Sequence, residues 1–282
     1  MKIYIDGQFY DECDAKISVF DHGLLYGDGV FEGIRIYNGK IFKLDEHVIR
    51  LYESAKGLNL EIGMTQEEMR KLLIEAVEIN KKNDGYIRLI VTRGDGDLGL
   101  DPANCKKSKV IIIVADIKLY PEEYYLNGIS IVTSSYRRIP NECFDLRIKS
   151  LNYLNNILAK IEARNNNCLE CVMMNTEGYV AECTGDNIFI IKNGVMKTPA
   201  TYYGALEGIT REVALELGRK NGLNPQETAL TRFDLYNADE CFMTGTAAEI
   251  IPVIKIDNVV IGEGKPGLHT RKLIEDFKEL TK

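Results

Sequence analysis

The chain opens on alternating apolar and polar positions. Ile3, Tyr4 and Ile5 lead into Asp6-Gly7 and then Gln8-Phe9. A type I′ hairpin turn needs positive φ at both central residues, and Asp-Gly supplies them. Tyr37-Asn38-Gly39-Lys40 repeats the signal, and Lys192-Asn193-Gly194-Val195 and Ile256-Asp257-Asn258-Val259 carry similar turns later. After the first turns the spacing becomes helical. Val48, Leu51, Tyr52 and Ala55 fall on one face of a helix that Asp45 would cap and that ends near Gly57. Thr65 and Glu68 predict a capping box, with Met64 and Met69 placed as a hydrophobic staple. Met69, Leu72, Leu73, Ala76 and Val77 then keep helical spacing.

Tyr86 to Thr92 and Val110 to Ala115 read as buried strands. The stretch from Leu119 to Gly128 breaks the pattern with Pro121 and two acids. The chain therefore divides into a small N-terminal domain over 1–119, a linker over 120–128 and a larger C-terminal domain over 129–282. The second domain mixes strands with helices expected near 152–166, 210–221 and 268–280. There is no internal repeat and no low-complexity stretch. Hairpins grouped with helices indicate an α+β fold more than a doubly wound α/β sheet.

Composition narrows the class. Of 282 residues, 45% are hydrophobic and 27% charged, which excludes a disordered or collagen-like chain. Thirty-five basic against 42 acidic residues give −7, a field that repels nucleic acid and acidic membranes. Any anionic ligand must be held by a local site. The longest aliphatic run, Val110 to Ala115, has six residues, whereas a membrane span needs about 20. The N-terminal Met-Lys-Ile-Tyr-Ile-Asp-Gly has no signal-peptide character. Seven cysteines, an odd number, point to the reducing cytoplasm.

Several motifs lack the context that their chemistry requires. Gly94-Asp95-Gly96-Asp97-Leu98-Gly99 has dinucleotide-loop spacing, but Leu100-Asp101-Pro102 follows instead of a helix. It reads as a flexible loop beside a binding site. A calcium loop would need glutamate where Lys106 stands. His22, His47 and His269 show no metal spacing, and solvated or capping roles are expected. Cys168-Leu169-Glu170-Cys171 lacks a second pair and reads as buried structural thiols beside a strand from Cys171 to Met174.

Two segments look like anion cups. Gly208-Ile209-Thr210 opens a helix whose first amides are free to bind an anion. Thr244-Gly245-Thr246-Ala247-Ala248 follows the strand-like Glu240 to Met243. Two such cups in an acidic protein raise the prospect of a phosphate-bearing ligand. Lys149, at the start of a helix, and Glu182, at the end of a strand, do not stand out by spacing alone.

In combination these segments resemble the fold-type IV pyridoxal-phosphate enzymes. Arg147-Ile148-Lys149-Ser150-Leu151-Asn152-Tyr153-Leu154-Asn155-Asn156 is similar to the family's lysine segment. Gly178 to Phe189, with Glu182 inside it, is similar to its cofactor-acid segment, and the Gly208 and Thr244 cups match its phosphate segments in order. Tyr26-Gly27-Asp28-Gly29-Val30-Phe31-Glu32-Gly33-Ile34-Arg35 resembles the branched-chain aminotransferase subgroup. The likeness runs from Tyr4 to about Leu273. Asn141 to Asp145 fits it less closely, and the Cys168–Cys171 pair lies outside it.

The resemblance implies a small α/β domain and a larger domain built on a pseudo-barrel of strands. It implies pyridoxal 5'-phosphate as cofactor and no metal. Lys149 would form the Schiff base and then shuttle the proton. Glu182 would pair with the pyridine nitrogen, Tyr153 with the ring oxygen, and Arg50, Ile209, Thr210 and Thr246 with the phosphate. Tyr86, Thr246 and Ala247 would hold the substrate α-carboxylate, and Arg88 the side-chain carboxylate of glutamate or 2-oxoglutarate. Phe31, Tyr26 and Leu100 would line an apolar pocket for leucine, isoleucine or valine. Family side chains matching Tyr26 and Leu100 cross a subunit interface, which implies a homodimer or larger assembly. The implied reaction is ping-pong transamination between the branched-chain L-amino acids leucine, isoleucine or valine and 2-oxoglutarate. The alternatives are a D-amino-acid aminotransferase, a 4-amino-4-deoxychorismate lyase of the same fold, or a non-catalytic binder. Without the resemblance, Tyr86, Phe31 and Leu100 read as core or rim residues, and Arg50, off the Val48–Leu51–Ala55 stripe, as an exposed helix residue.

Overall fold

Asp6 and Gly7 take φ of 44° and 106°, and each of the three later turns also holds positive φ at both central residues. These turns set the strand pairing. The computed structural model describes residues 1–117 and 120–282, so Lys118 and Leu119, where the expected junction begins, lie outside the described residues. The chain forms two units, Met1–Lys118 with Ile148–Asn152, and Leu119–Arg147 with Tyr153–Lys282.

The first unit contains β1 (Lys2–Ile5), β2 (Gln8–Asp11), α1 (His22–Tyr26), β3 (Gly29–Tyr37), β4 (Lys40–Ile41), α2 (Leu44–Gly57), α3 (Gln66–Asn80), β5 (Gly85–Thr92) and β6 (Lys109–Ala115). Its six strands run β2-β1-β6-β5-β3-β4, every pair antiparallel. Val30, Ile34 and Ile36 of β3, Ile87, Leu89 and Val91 of β5, and Val110, Ile112 and Val114 of β6 form the core with Val48, Leu51 and Ala55 of α2 and Met69, Leu73 and Val77 of α3. Side chains alternate across a strand, so Phe31, Gly33, Tyr86 and Arg88 fall on the opposite face. For the same reason β5 is not a uniformly buried strand: Tyr86, Arg88 and Ile90 are half-exposed between buried neighbours.

The capping box of α3 is present at Thr65 and Glu68. Asp45 does not cap α2. The cap is Lys43, in the left-handed region at φ 54°, and Asp45 sits inside the first turn, where a carboxylate favours the helix dipole. Residues 148–152, expected in the C-terminal domain, belong to the first unit. Their backbone bonds to β3, with Phe31 N donating to Lys149 O at 3.0 Å and Leu151 N to Gly29 O at 2.9 Å.

The second unit contains α4 (Glu122–Asn127), β7 (Ile129–Arg137), α5 (Leu154–Asn165), β8 (Glu170–Met174), β9 (Val180–Cys183), β10 (Asn187–Lys192), β11 (Val195–Pro199), α6 (Ile209–Lys220), β12 (Gln226–Thr228), α7 (Arg232–Tyr236), β13 (Glu240–Gly245), β14 (Glu249–Ile256), β15 (Val259–Val260) and α8 (Leu268–Leu280). The expected 120–128 linker thus carries a helical turn, and Tyr120, Tyr124 and Tyr125 pack on the second core. Its sheet runs β12-β11-β10-β13-β14-β7-β8-β9, with β15 on β14. The last strand, β9, comes back against β10 and β11, so the sheet curls into a half-barrel. The fold is α+β, as the grouping of hairpins and helices predicts. Cys171 is buried in β8 with Sγ donating to Ala159 O, and burial pushes its thiol up to about 12. Cys168 is half-buried and also raised by burial, so neither is poised as a thiolate.

Candidate active site

In the first unit Lys149 is carried on a short stretch that pairs with β3, Ser150 opposite Val30. Its backbone N donates to Ser54 Oγ at 3.1 Å. Its Nζ lies 4.7 Å from the centroid of the Phe31 ring. The Arg88 guanidinium carbon lies 4.7 Å from the same centroid and 5.5 Å from that of Tyr86. One amine and one guanidinium are therefore held on a single aromatic ring, each favoured by its quadrupole. Gly33 makes room for this group: a Cβ there would stand 1.8 Å from Tyr86 Oη.

On the helix-facing side of β3, Glu32 replaces an apolar residue and is fully buried. Arg50 Nε and Nη2 donate to its two oxygens, each at 2.8 Å, and His47 Nδ1 stands 2.7 Å from Oε2. Burial alone raises the Glu32 carboxyl, but Arg50 and His47 outweigh it and hold it well below the usual carboxylate range. Burial pushes His47 down, so its neutral ring donates from Nδ1 to an ionised Glu32. Arg50 is 9% exposed and is no surface residue, and His22 and His47, each 1% exposed, are neither solvated nor caps. His47, Arg50 and Ser54 follow one another at helical spacing along the buried side of α2.

Tyr26 and Leu100 are placed differently. Both are exposed, at 42% and 78%, and Tyr26 Oη donates to Leu98 O at 2.7 Å. The Gly94–Gly99 loop, expected to be flexible, is pinned to α1. His22 N donates to Gly94 O, Gly96 N to Phe20 O, and His22 Nε2 meets Asp97 O at 2.9 Å. A short 3₁₀ turn follows it and not an α-helix.

In the second unit Glu182, on β9, is 6% exposed. Its Oε2 accepts from Leu206 N at 2.8 Å and Asn187 Nδ2 at 3.3 Å, and its Oε1 meets Arg138 Nη2 at 2.9 Å. Asn187 ties this acid to both cups. It also donates to Leu206 O at 2.9 Å, it pairs with Thr244 across β10 and β13, and its Oδ1 would lie 2.0 Å from a Cβ at Gly208. Ile209 and Thr210 are the first residues of α6, which Gly208 begins without a side-chain cap among the described residues. Thr246 and Ala247 stand half-buried in the turn after β13. A Cβ at Gly245 would meet Asp186 Oδ1 at 1.8 Å. Tyr153 is the residue from which α5 starts.

Glu32, Arg138 and Asn187 carry no individual role in the sequence, and His47, expected as a solvated or capping residue, instead stands buried against Glu32. An acid in the apolar row Val30–Glu32–Ile34–Ile36 was the readable signal for the first of them, since a charge on a core face must be paired.

The first unit supplies an amine on an aromatic face and a buried arginine–acid pair. The second supplies another buried acid, an uncapped helix start and small-residue turns. These are the groups that a phosphate-bearing cofactor handling amines requires. A family model described as amino-transferase class IV matches residues 29–256, and the chain belongs to that family. It is 52% identical over 280 residues to a Methanocaldococcus jannaschii protein provisionally named as a branched-chain-amino-acid aminotransferase, covering 99% of this chain and 96% of that one. It is 37% identical over 279 residues to the D-alanine aminotransferase of Bacillus licheniformis, covering 97% and 94%. Among solved structures, a T.th. branched-chain amino acid aminotransferase with pyridoxamine 5'-phosphate matches at a TM-score of 0.95 and 38% identity, covering 99% and 93%. The same protein complexed with N-(5'-phosphopyridoxyl)-L-glutamate matches at a TM-score of 0.93 and 37% identity, covering 99% and 93%.

Proposed function

We propose that this aminotransferase exchanges the amino group of leucine, isoleucine or valine with 2-oxoglutarate in two alternating half-reactions, using pyridoxal 5'-phosphate. The observation that carries the reading is Phe31 with Lys149 Nζ and Arg88 on one ring. An apolar surface that also presents a cation can take an aliphatic side chain in one half-reaction and a carboxylate in the other.

The residues present fit the cofactor. Thr244 Oγ1 is buried with no partner among the described residues, beside a turn where the lack of a Cβ at Gly245 lets the Asp186 carboxylate pack close to the backbone. The start of α6 offers backbone donors of the kind that bind phosphate. When bound, the cofactor supplies an aldehyde that takes the amino group and a ring that accepts electrons from the substrate Cα. Lys149 Nζ is the proton carrier at that Cα. Glu182 is the acceptor for the protonated ring nitrogen, and Tyr153 the donor to the ring oxygen. Arg50, Ile209, Thr210 and Thr246 hold the phosphate. Tyr86, Thr246 and Ala247 hold the substrate α-carboxylate, Arg88 the distal carboxylate, and Phe31, Tyr26 and Leu100 the aliphatic chain.

We also propose a homodimer or larger assembly. Leu24, Leu98 and Leu100, at 59%, 69% and 78% exposed, group with Tyr26 around the pinned loop and favour a covering surface. Light scattering giving the monomer mass would refute it. All seven cysteines are free, which supports a reducing cytoplasm. Among the described residues no helix is long and apolar enough to cross a membrane.

The test of the activity is the visible absorption of the purified holoenzyme before and after L-leucine or D-alanine, with no oxo acid added. Bleaching by L-leucine alone supports the reading. Bleaching by D-alanine alone moves the assignment toward the Bacillus licheniformis relative. No response to either leaves the lyase chemistry.

A further inference from the structure

Behind Glu182 stands a second buried charge to which the proposed reaction gives no task. Arg138 follows the last residue of β7 and is 5% exposed. Its Nη2 meets Glu182 Oε1 at 2.9 Å, Nη1 donates to Asn156 Oδ1 at 2.9 Å, and Nε donates to Gly204 O at 3.2 Å. Asn156, 8% exposed on α5, is fixed in turn by donating from Nδ2 to Thr184 O at 2.8 Å. The Arg138 backbone N donates to Met174 O at 2.9 Å. A guanidinium is a rigid fork, so the contacts to Asn156 and Gly204 set its plane independently of Glu182. Attraction within a buried ion pair is largely offset by desolvation, so stability alone is a weak reason for this arginine.

We propose that Arg138 is a positioning residue that keeps Glu182 ionised and aimed, and so keeps the shared proton on the cofactor's ring nitrogen and off the carboxyl. This rests on the reading that Glu182 faces that nitrogen. A cation against a carboxylate lowers its appetite for a proton. With the guanidinium present, an ionised acid opposite a protonated ring is the favoured pair. Without it, a carboxylate this buried competes for the proton, and a neutral acid opposite a neutral ring takes over. The exchange is one proton along one hydrogen bond: an N–H bond on the ring breaks as an O–H bond on the carboxyl forms, with no other bond and no oxidation state changed.

The experiment uses holoenzyme reconstituted with cofactor labelled with ¹⁵N at the ring nitrogen, whose resonance reports protonation directly. The wild type is expected at the protonated position. Arg138→Met moves the resonance toward the unprotonated position, Arg138→Lys moves it less, and Arg138→Met added to Glu182→Gln moves it no further than Glu182→Gln alone. The L-leucine half-reaction of Arg138→Met slows by roughly 10–100-fold, the range for removing a partner that orients a directly contacting group. The dissociation constant for the cofactor changes by a smaller factor. An unmoved resonance in Arg138→Met, with Glu182→Gln shifted, overturns this inference and leaves the proposed function standing. An unmoved resonance in Glu182→Gln overturns the assignment of Glu182 itself. If Arg138→Met does not fold, Arg138→Lys decides: a partial shift supports the role, and none overturns it.

Discussion

Replacing Glu32 by glutamine removes one negative charge from the interior of the first unit at almost constant volume. The carboxylate is 0% exposed and accepts two hydrogen bonds from Arg50 at 2.8 Å and one from His47 at 2.7 Å. Removing one partner of a buried ion pair costs about 3–5 kcal/mol, because the other charge is left uncompensated. Glutamine keeps one acceptor oxygen for Arg50, which places the cost near the lower end, about 3 kcal/mol. At about 4 °C per kcal/mol for a unit of this size, the melting temperature falls by about 12 °C. The assay is calorimetry of the apoprotein at pH 7 for the wild type, Glu32→Gln, Arg50→Met and the double variant. The double variant removes both charges, so it loses less than the two single losses together. Strict additivity, or a Glu32→Gln melt close to wild type, would refute the ion-pair reasoning.

The same groups give the pH dependence a definite sign. The Glu32 carboxyl is depressed from 4.5, so its contribution is complete above that value and is lost as pH falls toward the folded value. His47 is depressed from 6.5 because its charged form is excluded by burial. The unfolded chain takes up that proton first, so this contribution is complete above pH 6.5 and declines below it. Wild-type stability therefore declines below pH 6.5 and more steeply below 4.5. The Glu32→Gln curve converges on it at the acid end.

Lys149→Ala is expected to abolish turnover with both amino donors, and steady-state transamination at the wild-type rate would remove Lys149 from the mechanism. Arg88→Leu is expected to raise the KM for glutamate by about 10–100-fold, the worth of one hydrogen bond to a charged group, and that for leucine far less; parallel changes would refute a role in acid recognition. Gly33→Ala must displace the Tyr86 hydroxyl, since the new Cβ would lie 1.8 Å from it. The KM values for leucine and glutamate then rise together while the melting temperature stays near wild type; a KM shift for glutamate alone would sink that assignment. Glu240 accepts from His269 N, Thr270 N and Thr270 Oγ1 at the start of α8, where Gly267 offers no side-chain cap. Glu240→Ala should cost about 1–2 kcal/mol in urea unfolding, and an unchanged midpoint would mean the cap contributes nothing.

The parts of the fold that were legible are those written in local periodicity. The four turns are specified by their own dipeptides, and α3 by its capping box and apolar spacing, with no distant partner needed. The parts that were not legible depend on what lies across the sheet. The apolar run of β5 suggested burial on both faces, yet only one face packs on α2 and α3, while Tyr86 and Arg88 point away from them. Asp45 has the right chemistry for a cap, but the β4 turn leads straight into α2 through the left-handed Lys43 and starts the helix earlier.

The site divides the same way. The Gly208 and Thr244 cups show in local chemistry, as small residues with free amides, whereas Lys149 and Glu182 enter only through resemblance to whole segments, because no spacing rule marks a lone lysine or glutamate. The supporting residues escaped even that. The stripe Val48–Leu51–Ala55 describes only the apolar part of what α2 buries. The helix also buries His47, Arg50 and Ser54, a polar row at the same period, and apolar patterning cannot see a polar residue that is buried. What could reveal it is the strand opposite. Glu32 interrupts an apolar row, and an interior carboxylate has to find a cation among whatever faces it. Arg50 on the next helix meets that condition at a sequence separation of 18, and His47, three residues before it at a separation of 15, adds a neutral donor. Arg138 has no such signature, because Glu182 reaches it only through the parallel pairing of β7 with β8 and the return of β9. Charge on a core-facing row is therefore readable one strand at a time, whereas the cation that answers it is readable only when the connection is a single short helix.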